Sequence, residues 1–482
     1  MADGEAGVIV AGRYRYEREL GHGSQGRVLL ARDAESGDAV ALKIVAPGAE
    51  EEVRAEFALL SRIQQPNLAR ALSLVRLDAA VPALRLTRGA LALVSEYAPG
   101  VAADRVLQPS AAGRDAALRL ALRVLDRGAR ALAAIHAQGL VHGDVKPANF
   151  LVPESGEPKL IDLGFARAPG FEEEVSGTPE YLAPELFRGE LSQAADVYAL
   201  GMTVWRLLAP RSMASEASAG ELLARALADP AVSEPLPSWV PEPLRALLAA
   251  LRAADRGIRP ANAGEVSNEL ARIVPALPPE LAAELGPAAA DSRSQKERAL
   301  AIGSLPAVGQ ADARRELDAA LARGGAVVVL GPAGAGRSRL IRDAVFALQL
   351  AGSRAAGPVL DYRIVRSVPA RPAERPTVWH VVDADGASEL EVERFLRASE
   401  VETQPSVLVL ERSQALASAG VPSVQLGPLT REQLGELLGA ALQQQPKKLR
   451  PELLDEAAAI SGGLAARLCR ALAAGLASGV PL

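Results

Sequence analysis

The sequence is poor in the residues that build disulfides and zinc sites. It has one cysteine and four histidines in 482 residues. A single cysteine excludes an internal disulfide, and Cys469, within the Ala/Leu-rich stretch AARLCRALAAGL, is best interpreted as a small buried core residue. With only four histidines and one cysteine, the spacing of zinc ligands is absent. We therefore expect a protein of the reducing cytoplasm.

Long apolar runs and an excess of basic charge are also missing. No stretch reaches the roughly 20 apolar residues needed to cross a bilayer, and the N-terminus lacks a basic start followed by a long hydrophobic segment. We expect neither a membrane anchor nor an export signal. The formal net charge is −5 and no basic stripe is present, which argues against nucleic acid as a partner. A chain of 482 residues is too long for one ordinary core, and we expect about two to three domains.

The first hundred residues alternate in the manner of strands. Three short runs between residues 14 and 45, each bounded by Gly or Asp, predict an antiparallel meander. Residues 51–63 carry apolar side chains at helical spacing and predict an amphipathic helix. Two more strand-like runs precede Gly100, after which long Ala/Leu/Arg helices such as 114–137 dominate. The pattern predicts a small β lobe followed by a larger helical lobe.

The second half of the chain has a different character. Residues 276–304 are rich in Pro, Ala and charge and show no sustained apolar face, which predicts a linker. Beyond it, strands at 326–330, 377–383 and 406–411 alternate with helices, a pattern typical of a parallel α/β sheet. The predicted division is a tail at 1–12, a first domain at 13–275, the linker at 276–304 and a second domain at 305–482.

A glycine-rich stretch and two charged residues are the first candidate functional residues along the chain. Gly21, Gly23 and Gly26 form a GxGxxG frame in LGHGSQGRV, between two strand-like runs. Because a strand and not a helix follows the third glycine, the frame predicts a hairpin whose backbone covers phosphates. Lys43 ends the strand VALK, and Glu56 lies on the next helix. Such an ammonium, paired with a glutamate, would hold the α and β phosphates of ATP, although either residue taken singly is more often a solvated surface charge.

The order of the motifs is more specific than any one of them. The stretches GHGSQGRV, VALK, HGDVKPANFL, IDLGFA, GTPEYLAPE, DVYALG and DRGIRP follow one another in the order that protein kinases require. Residues 13 to about 275 therefore resemble a eukaryotic-type serine/threonine protein kinase domain, of the kind also known from bacteria. The resemblance implies a two-lobed kinase fold with a β-rich N-lobe and a helical C-lobe. It also implies ATP and Mg²⁺ as ligands and proteins with Ser or Thr as substrates.

The same resemblance assigns roles to individual residues. Asp144 would accept the proton of the substrate hydroxyl, and Lys146 would lie near the γ-phosphate. Asn149 and Asp162 would be the oxygen ligands of magnesium. We expect these residues to converge on one cleft with Lys43 and Glu56. The nucleotide-binding residues that the resemblance implies are Leu20, Gly21, Gly23, Gly26, Val28, Lys43, Glu96 and Ala98.

The segments around Asp144 carry further expectations. Gly143 stands where many kinases have an Arg that binds a phosphorylated activation segment, so it argues against that style of regulation and not against activity. By resemblance, the Thr178 hydroxyl would lie beside Asp144 and Lys146 and help to seat the substrate. Ser176 and Thr178 are also candidate autophosphorylation sites. The structural positions that the resemblance implies are the buried pair Glu185 and Arg259, and Asp196 as the acid that supports the catalytic loop.

A second phosphate-binding motif lies in the C-terminal half. The stretch VVVLGPAGAGRSRL has glycines at 331 and 336 and Ser338 in P-loop spacing, after a predicted strand and before a predicted helix. The backbone from Gly331 to Gly336 would wrap phosphates, and Ser338 would reach a magnesium ion. Arg337 replaces the expected Lys, and its wide planar fork argues against hydrolysis more than against binding. Asp383, at the end of a predicted strand, is the expected acid for the metal.

Residues 305–482 resemble the AAA-like ATPase module of STAND-type signalling ATPases, in a degenerate form. The expected fold is thus multidomain, with an α+β kinase and an α/β, parallel-sheet P-loop NTPase-like domain. The second domain would sense nucleotide or recruit a regulatory protein. Two alternatives stay open: a pseudokinase scaffold that binds nucleotide without phosphotransfer, and a working C-terminal ATPase regulated by the kinase half. The intact set of Lys43, Asp144, Asn149 and Asp162 favours an active kinase.

Overall fold

The computed structural model divides the chain into two compact units. The first contains Met1–Arg62, Ala71–Glu96 and Ile302–Leu482, and the second contains Ile63–Arg70 and Tyr97–Ala301. The division differs from the predicted one, because the N-terminal strands group with the C-terminal half of the chain. The residues described are 7–23, 26–45, 50–61, 63, 65–106, 113–171, 177–209, 235–285, 308–354, 359–371, 373, 376–399, 406–413, 421–442, 451–465 and 468. Ser176, Cys469 and residues 286–304 of the predicted linker lie outside this set.

A six-stranded antiparallel sheet forms the N-terminal part of the first unit. Its strands, β1 to β6, are Ile9–Val10, Tyr14–Gly23, Gly26–Asp33, Ala39–Val45, Ala71–Arg76 and Leu91–Glu96. The spatial order is β1-β2-β3-β4-β6-β5, and β2, β3 and β4 pair in sequence, which confirms the predicted meander. Helix α1, Glu50–Leu60, begins with three glutamates that complement its positive N-terminal dipole. It buries Val53, Phe57, Leu59 and Leu60, and it ends three residues before the predicted end at 63.

The second unit is mainly helical. Its helices α2 to α7 are Ala103–Val106, Arg114–His136, Gln193–Leu208, Glu242–Leu251, Ala263–Ile273 and Pro279–Ala282. Its short strands β7 to β11 are Val101–Ala102, Phe150–Val152, Lys159–Leu160, Gly170–Phe171 and Glu190–Leu191. Helix α3 corresponds to the predicted helix at 114–137 and buries an Ala/Leu face along its whole length. A β-rich first part and a helical second part are thus both present.

The first ten residues of the predicted linker are folded, so the predicted linker begins too early in the chain. Helix α7 and the following 3₁₀ turn, Ala283–Leu285, bury Leu281 and Leu285. The Glu284 carboxylate accepts hydrogen bonds from Arg119 and Arg123 on α3. These long-range contacts hold residues 276–285 on the second unit, and the local pattern of Pro and charge in the sequence could not reveal them.

A five-stranded parallel sheet forms the C-terminal part of the first unit. Its strands β12 to β16 are Gly325–Leu330, Asp361–Val365, Thr377–Val381, Ser406–Arg412 and Ser423–Gln425, in the order β13-β14-β15-β12-β16. Its helices α8 to α12 are Ala311–Arg323, Arg337–Ser353, Glu389–Ser399, Arg431–Leu442 and Pro451–Ser461. The three predicted parallel strands are present, and β13 and β16 were missed. Within the described residues, no helix combines the length and the apolar character needed to cross a bilayer.

Candidate active site

In the first unit, Lys43 and Glu56 form the predicted ion pair. Lys43 lies on β4, opposite Val28 on β3 and Leu93 on β6. Its Nζ atom is 2.8 Å from Oε2 of Glu56 on α1, whose side chain is buried. A buried carboxylate of this kind requires a cation, since an uncompensated charge in the protein interior is costly. The pair therefore links the central strand β4 to α1.

The glycine-rich stretch forms a hairpin between β2 and β3, as predicted. Gly21 lies opposite Val28, and Gly23 lies opposite Gly26. Gly26 has a φ of 134°, a conformation that residues with a Cβ rarely adopt. Leu20 is on the same arm and is partly exposed. The hairpin thus has the backbone freedom needed for a close approach to phosphates, the role for which the frame was singled out.

In the second unit, Asp144 is the centre of a compact polar cluster. Its Oδ1 atom accepts hydrogen bonds from the backbone N–H of Thr178 at 2.9 Å and from the Thr178 hydroxyl at 2.7 Å. Its Oδ2 atom is 2.7 Å from Nζ of Lys146, which also donates to the Thr178 hydroxyl at 2.7 Å. Asp144 is only 5% exposed, so the carboxylate is well shielded from water. The predicted contact of Thr178 with both charged residues is present.

Asn149 and Asp162, the predicted magnesium ligands, have the atoms such an ion requires. The Asn149 amide nitrogen donates to the backbone carbonyl of Asp144 at 2.8 Å, which fixes the amide and leaves its oxygen as the acceptor. Asp162 has a left-handed backbone, with φ 65°, and its Oδ1 atom accepts a hydrogen bond from the Gly164 N–H at 3.2 Å. Strained non-glycine residues of this kind concentrate at functional sites. Two hard oxygen donors fit Mg²⁺, which takes few protein ligands and keeps water or phosphate oxygens as well.

A buried carboxylate, Asp196 on α4, holds the loop that carries Asp144. It accepts hydrogen bonds from the backbone N–H groups of His142 at 2.6 Å and Gly143 at 2.9 Å, and it contacts His136 Nε2 at 2.9 Å. Burial raises the pKa of Asp196, but the hydrogen bond and charge of His136 outweigh burial and leave the pKa below its usual value. Asp196 therefore stays ionised and anchors the loop, in the supporting role that was predicted.

Two neighbours of Asp144 show features that the sequence did not predict. Burial lowers the pKa of His142, and its Nδ1 atom accepts a hydrogen bond from the Asp144 N–H at 3.2 Å, so the ring is neutral. Gly143 has a φ of 82°, and a Cβ there would lie 3.0 Å from the Phe165 carbonyl oxygen. The glycine thus meets a conformational requirement, in addition to leaving this position without the cation that many kinases have.

The other positions that the kinase resemblance singled out divide between the two units. Glu96 is the last residue of β6, and the boundary between the two units falls directly after it. Ala98, on the other side of that boundary, is buried. Glu185 and Arg259 form the predicted pair, with 2.6 Å between the carboxylate and the guanidinium and almost no exposure of either side chain. Convergence of the two sets of residues on one cleft stays a prediction.

The C-terminal loop, residues 331–338, contains the residues predicted to bind phosphate and metal, but their side chains contact other groups of the same domain. Gly331 and Gly336 have left-handed φ values of 157° and 96°. The Arg337 guanidinium is buried, donates to the Gly331 carbonyl at 2.8 Å and lies 3.3 Å from Glu411. The Ser338 hydroxyl donates to the same Glu411 carboxylate at 2.7 Å. The two side chains predicted to meet phosphate and metal are thus both in contact with an acid of the domain itself.

The acid that contacts Ser338 is Glu411, which the sequence did not single out. Asp383 lies after β14 with a left-handed φ of 51° and begins the 3₁₀ turn Ala384–Gly386. Strand β15 stands between β14 and the loop-bearing strand β12, so the end of β15 brings Glu411 to the loop. Burial raises the pKa of Glu411, but hydrogen bonds from His380 and Ser338 outweigh burial and keep the pKa below its ordinary value. Glu411 is the last residue of the predicted strand at 406–411. An acid at the end of this apolar strand was the signal in the sequence, and it was missed.

Comparison with known proteins identifies the first half of the chain. A sequence model described as the protein kinase domain matches residues 14–268. Serine/threonine-protein kinase PknA of Mycobacterium tuberculosis is 30% identical over 279 residues, which cover 55% of this chain and 62% of PknA. Putative CBL-interacting protein kinase 27 of Oryza sativa subsp. japonica is 32% identical over 216 residues, covering 42% of this chain and 50% of the relative. CBL-interacting serine/threonine-protein kinase 19 of Arabidopsis thaliana is 28% identical over 216 residues, covering 42% of each chain.

The matched region therefore spans between 42% and 62% of the length of these relatives. It includes the Gly-rich hairpin, the Lys43–Glu56 pair and the cluster around Asp144. Residues that the motifs predicted to act together thus contact one another within each unit. Lys43 pairs with Glu56 in the first unit, and Asp144, Lys146 and Thr178 contact one another in the second. With the family match covering more than half of its length, this chain belongs to the protein kinase domain family.

Proposed function

We propose that this chain transfers the γ-phosphoryl group of ATP to a Ser or Thr hydroxyl of a protein. The observation that carries the proposal is the Asp144 carboxylate, buried and bonded to both the Thr178 hydroxyl and the Lys146 ammonium. The Thr178 hydroxyl, 2.7 Å from Oδ1, is an aliphatic alcohol of the same chemical class as the proposed substrate. Asp144 is therefore placed to accept a hydrogen bond, and then a proton, from such an alcohol.

The neighbouring residues divide the remaining work. The Lys146 ammonium neutralises negative charge that moves during transfer, because a positive group fixed in place needs no reorganisation at the moment of reaction. The Lys43 ammonium, held by Glu56, has the task of orienting phosphates. Asn149 and Asp162 would hold magnesium, which when bound neutralises charge on the phosphate oxygens. The residues of the chain thereby align the alcohol and the phosphates and supply the proton acceptor.

The rival function, a scaffold that binds nucleotide without phosphotransfer, has less support. A scaffold requires no proton acceptor, yet the Asp144 carboxylate is held by donors from Thr178, Lys146 and Asn149. It also requires no fixed metal ligand, yet the Asn149 amide is locked by its bond to Asp144. Orienting bonds of this kind are what catalysis by alignment requires.

Phosphate transfer to Ser and Thr can be tested directly. The purified chain, incubated with radiolabelled ATP, Mg²⁺ and a generic basic protein, should label the acceptor, and acid hydrolysis should yield phosphoserine or phosphothreonine and no phosphotyrosine. Chelation of Mg²⁺ should abolish the label. Thermal stabilisation by MgATP without any labelling would instead establish the scaffold.

For residues 305–482, the C-terminal part of the first unit, we propose docking or nucleotide sensing and not ATP turnover, within the AAA/STAND-type resemblance. Arg337 and Ser338 both contact Glu411, and Glu411 carries a further bond from His380 at 3.0 Å. A nucleotide would have to displace this ionic cluster before its phosphates met the loop. The Gln310 amide also donates to the Ala335 carbonyl at 3.2 Å and further closes the loop.

The absence of turnover gives a clear expectation. A full-length chain carrying Asp144→Asn should show no Mg²⁺-dependent ATP hydrolysis above background in a phosphate-release assay, since only the C-terminal loop could then catalyse hydrolysis. Hydrolysis that persists in this variant and disappears when Ser338→Ala is added would overturn the docking proposal and favour a working ATPase.

A further inference from the structure

Helix α9, which follows the C-terminal loop, packs directly against α1 of the kinase half. Both helices belong to the first compact unit. The rings of Phe57 on α1 and Phe346 on α9 are buried, with centroids 5.0 Å apart and a tilt of 59°. Tilted aromatic pairs of this kind stabilise a contact beyond the area that they bury. Phe57 is the immediate neighbour of Glu56, the partner of Lys43.

A buried amide on the same helix fixes the contact to β5. Gln349 is fully buried, and its Nε2 atom donates to the Ser73 hydroxyl and to the Leu360 carbonyl, both at 2.8 Å. Its Oε1 atom accepts a hydrogen bond from the Leu74 N–H at 3.4 Å. Strand β5 is at the edge of the six-stranded sheet, so the amide covers backbone groups that would otherwise face outward. A buried amide with both ends satisfied specifies one register, because any shift leaves polar groups unpaired.

The C-terminal end of α9 is held by two arginines of the kinase half. Arg54 on α1 donates to the Ser353 hydroxyl at 3.1 Å and to the Ser353 carbonyl at 3.0 Å. Arg76 on β5 donates to the same carbonyl. Cations at a helix C-terminus satisfy free carbonyls and complement the helix dipole. Both α1 and β5 are thus tied to one end of α9.

An ionic contact extends this interface to the start of the sheet. The Arg13 guanidinium lies 2.7 Å from Asp33 on β3 and 2.9 Å from Asp361 on β13, and it donates to the Tyr362 carbonyl at 3.1 Å. Arg13 is only slightly exposed, so these bonds are largely shielded from water. The interface therefore combines an aromatic core with hydrogen bonds and ion pairs, the composition of a stable association and not of a chance encounter.

We propose that Phe346 and Gln349 are positioning residues of the kinase, through which the C-terminal part of the first unit holds α1 and β5 so that Glu56 stays paired with Lys43. The inference rests on the proposed phosphotransfer. Helix α1 has only 11 residues, and helices of this length are marginal unless neighbouring structure packs against them. Because α9 supplies such packing beside Glu56, the C-terminal part of the first unit acts as an intramolecular activating partner of its N-terminal part.

The test compares two phenylalanines of the C-terminal part of the first unit in the full-length chain. Phe346→Leu should lower kcat/KM for ATP by about 3- to 30-fold, the range seen when coupling residues are altered. The matched control is Phe395→Leu, which makes the same change in the fully buried core beside Val392 and Leu408, away from the kinase half. It should lower the unfolding temperature to a similar extent and leave kcat/KM unchanged. Gln349→Met, which keeps the length and removes the amide, should behave like Phe346→Leu.

A double-variant cycle separates positioning from general damage. If Phe346 acts through Glu56, Phe346→Leu added to Glu56→Gln should cause little further loss, because the two changes disable the same pair. The affinity for a fluorescent ATP analogue is measured in parallel, and it tests the inference even if the chain transfers no phosphate. A chain that transfers no phosphate would overturn only the proposed function. Equal effects of Phe346→Leu and Phe395→Leu on ATP affinity and rate, or losses that multiply with Glu56→Gln, would overturn the inference.

Discussion

Asp144→Asn should lower the rate of phosphoryl transfer by about 10²- to 10⁴-fold, the usual contribution of a positioned proton acceptor. The amide has the size of the carboxylate and can still accept from Thr178, but it cannot take up a proton and no longer offsets the Lys146 charge. The loss should appear in kcat with little change in the KM for ATP, because the change removes an interaction needed in the transition state. Single-turnover kinetics with radiolabelled ATP measure this directly.

The matched control for this prediction is Asp115→Asn. Asp115 is an exposed acid in the first turn of α3, and its charge acts on Arg119 of the same helix, which is not part of the cluster around Asp144. Its transfer rate should equal that of the unaltered chain. An Asp144→Asn rate within about tenfold of normal would contradict general-base assistance by this carboxylate. Equal labelling by the Asp144→Asn chain and the unaltered chain would show that another kinase in the preparation transfers the phosphate.

The cluster around Asp144 was predictable because its spacing is mostly local. Asp144, Lys146 and Asn149 lie within six residues, on a turn whose form is fixed by Pro147 at the start of a 3₁₀ segment. The order of motifs along the chain supplied the more distant Thr178 by resemblance. The Lys43–Glu56 pair was predictable for a similar reason, since a strand and the next helix are joined by a short connection.

The features that sequence reasoning missed depend on which distant segments become neighbours. Nothing near Gln349 indicates that its amide binds Ser73, 276 residues away. Glu411 was passed over because its approach to Ser338 depends on the strand order, which places β15 and not β14 beside β12. The folding of residues 276–285 depends likewise on arginines of α3. Composition and periodicity do not encode such pairings.

Glu185→Gln should destabilise the second unit by about 3–5 kcal/mol, the cost of removing one partner of a buried ion pair. The Arg259 side chain is 0% exposed and would lose its counter-charge, although it would keep its bond to the Ala194 carbonyl at 3.0 Å and its contact with the Tyr198 ring. Since each kcal/mol lowers the unfolding temperature of a unit of this size by about 2–4 °C, the unfolding transition should fall by about 6–20 °C. Thermal unfolding followed by circular dichroism measures the shift.

Glu190→Gln, five residues further on, makes the same chemical change in the opposite environment. Glu190 pairs with Arg188 at 3.4 Å, but the two side chains are 47% and 63% exposed. Solvent screens such a pair, so its loss should cost at most about 1 kcal/mol. Replacing both members of the buried pair, as Glu185→Leu with Arg259→Met, should recover part of the stability lost in Glu185→Gln, because no unpaired charge is then left inside. Similar shifts for Glu185→Gln and Glu190→Gln, or a double variant less stable than Glu185→Gln, would mean that the cost comes from lost packing and not from the stranded guanidinium.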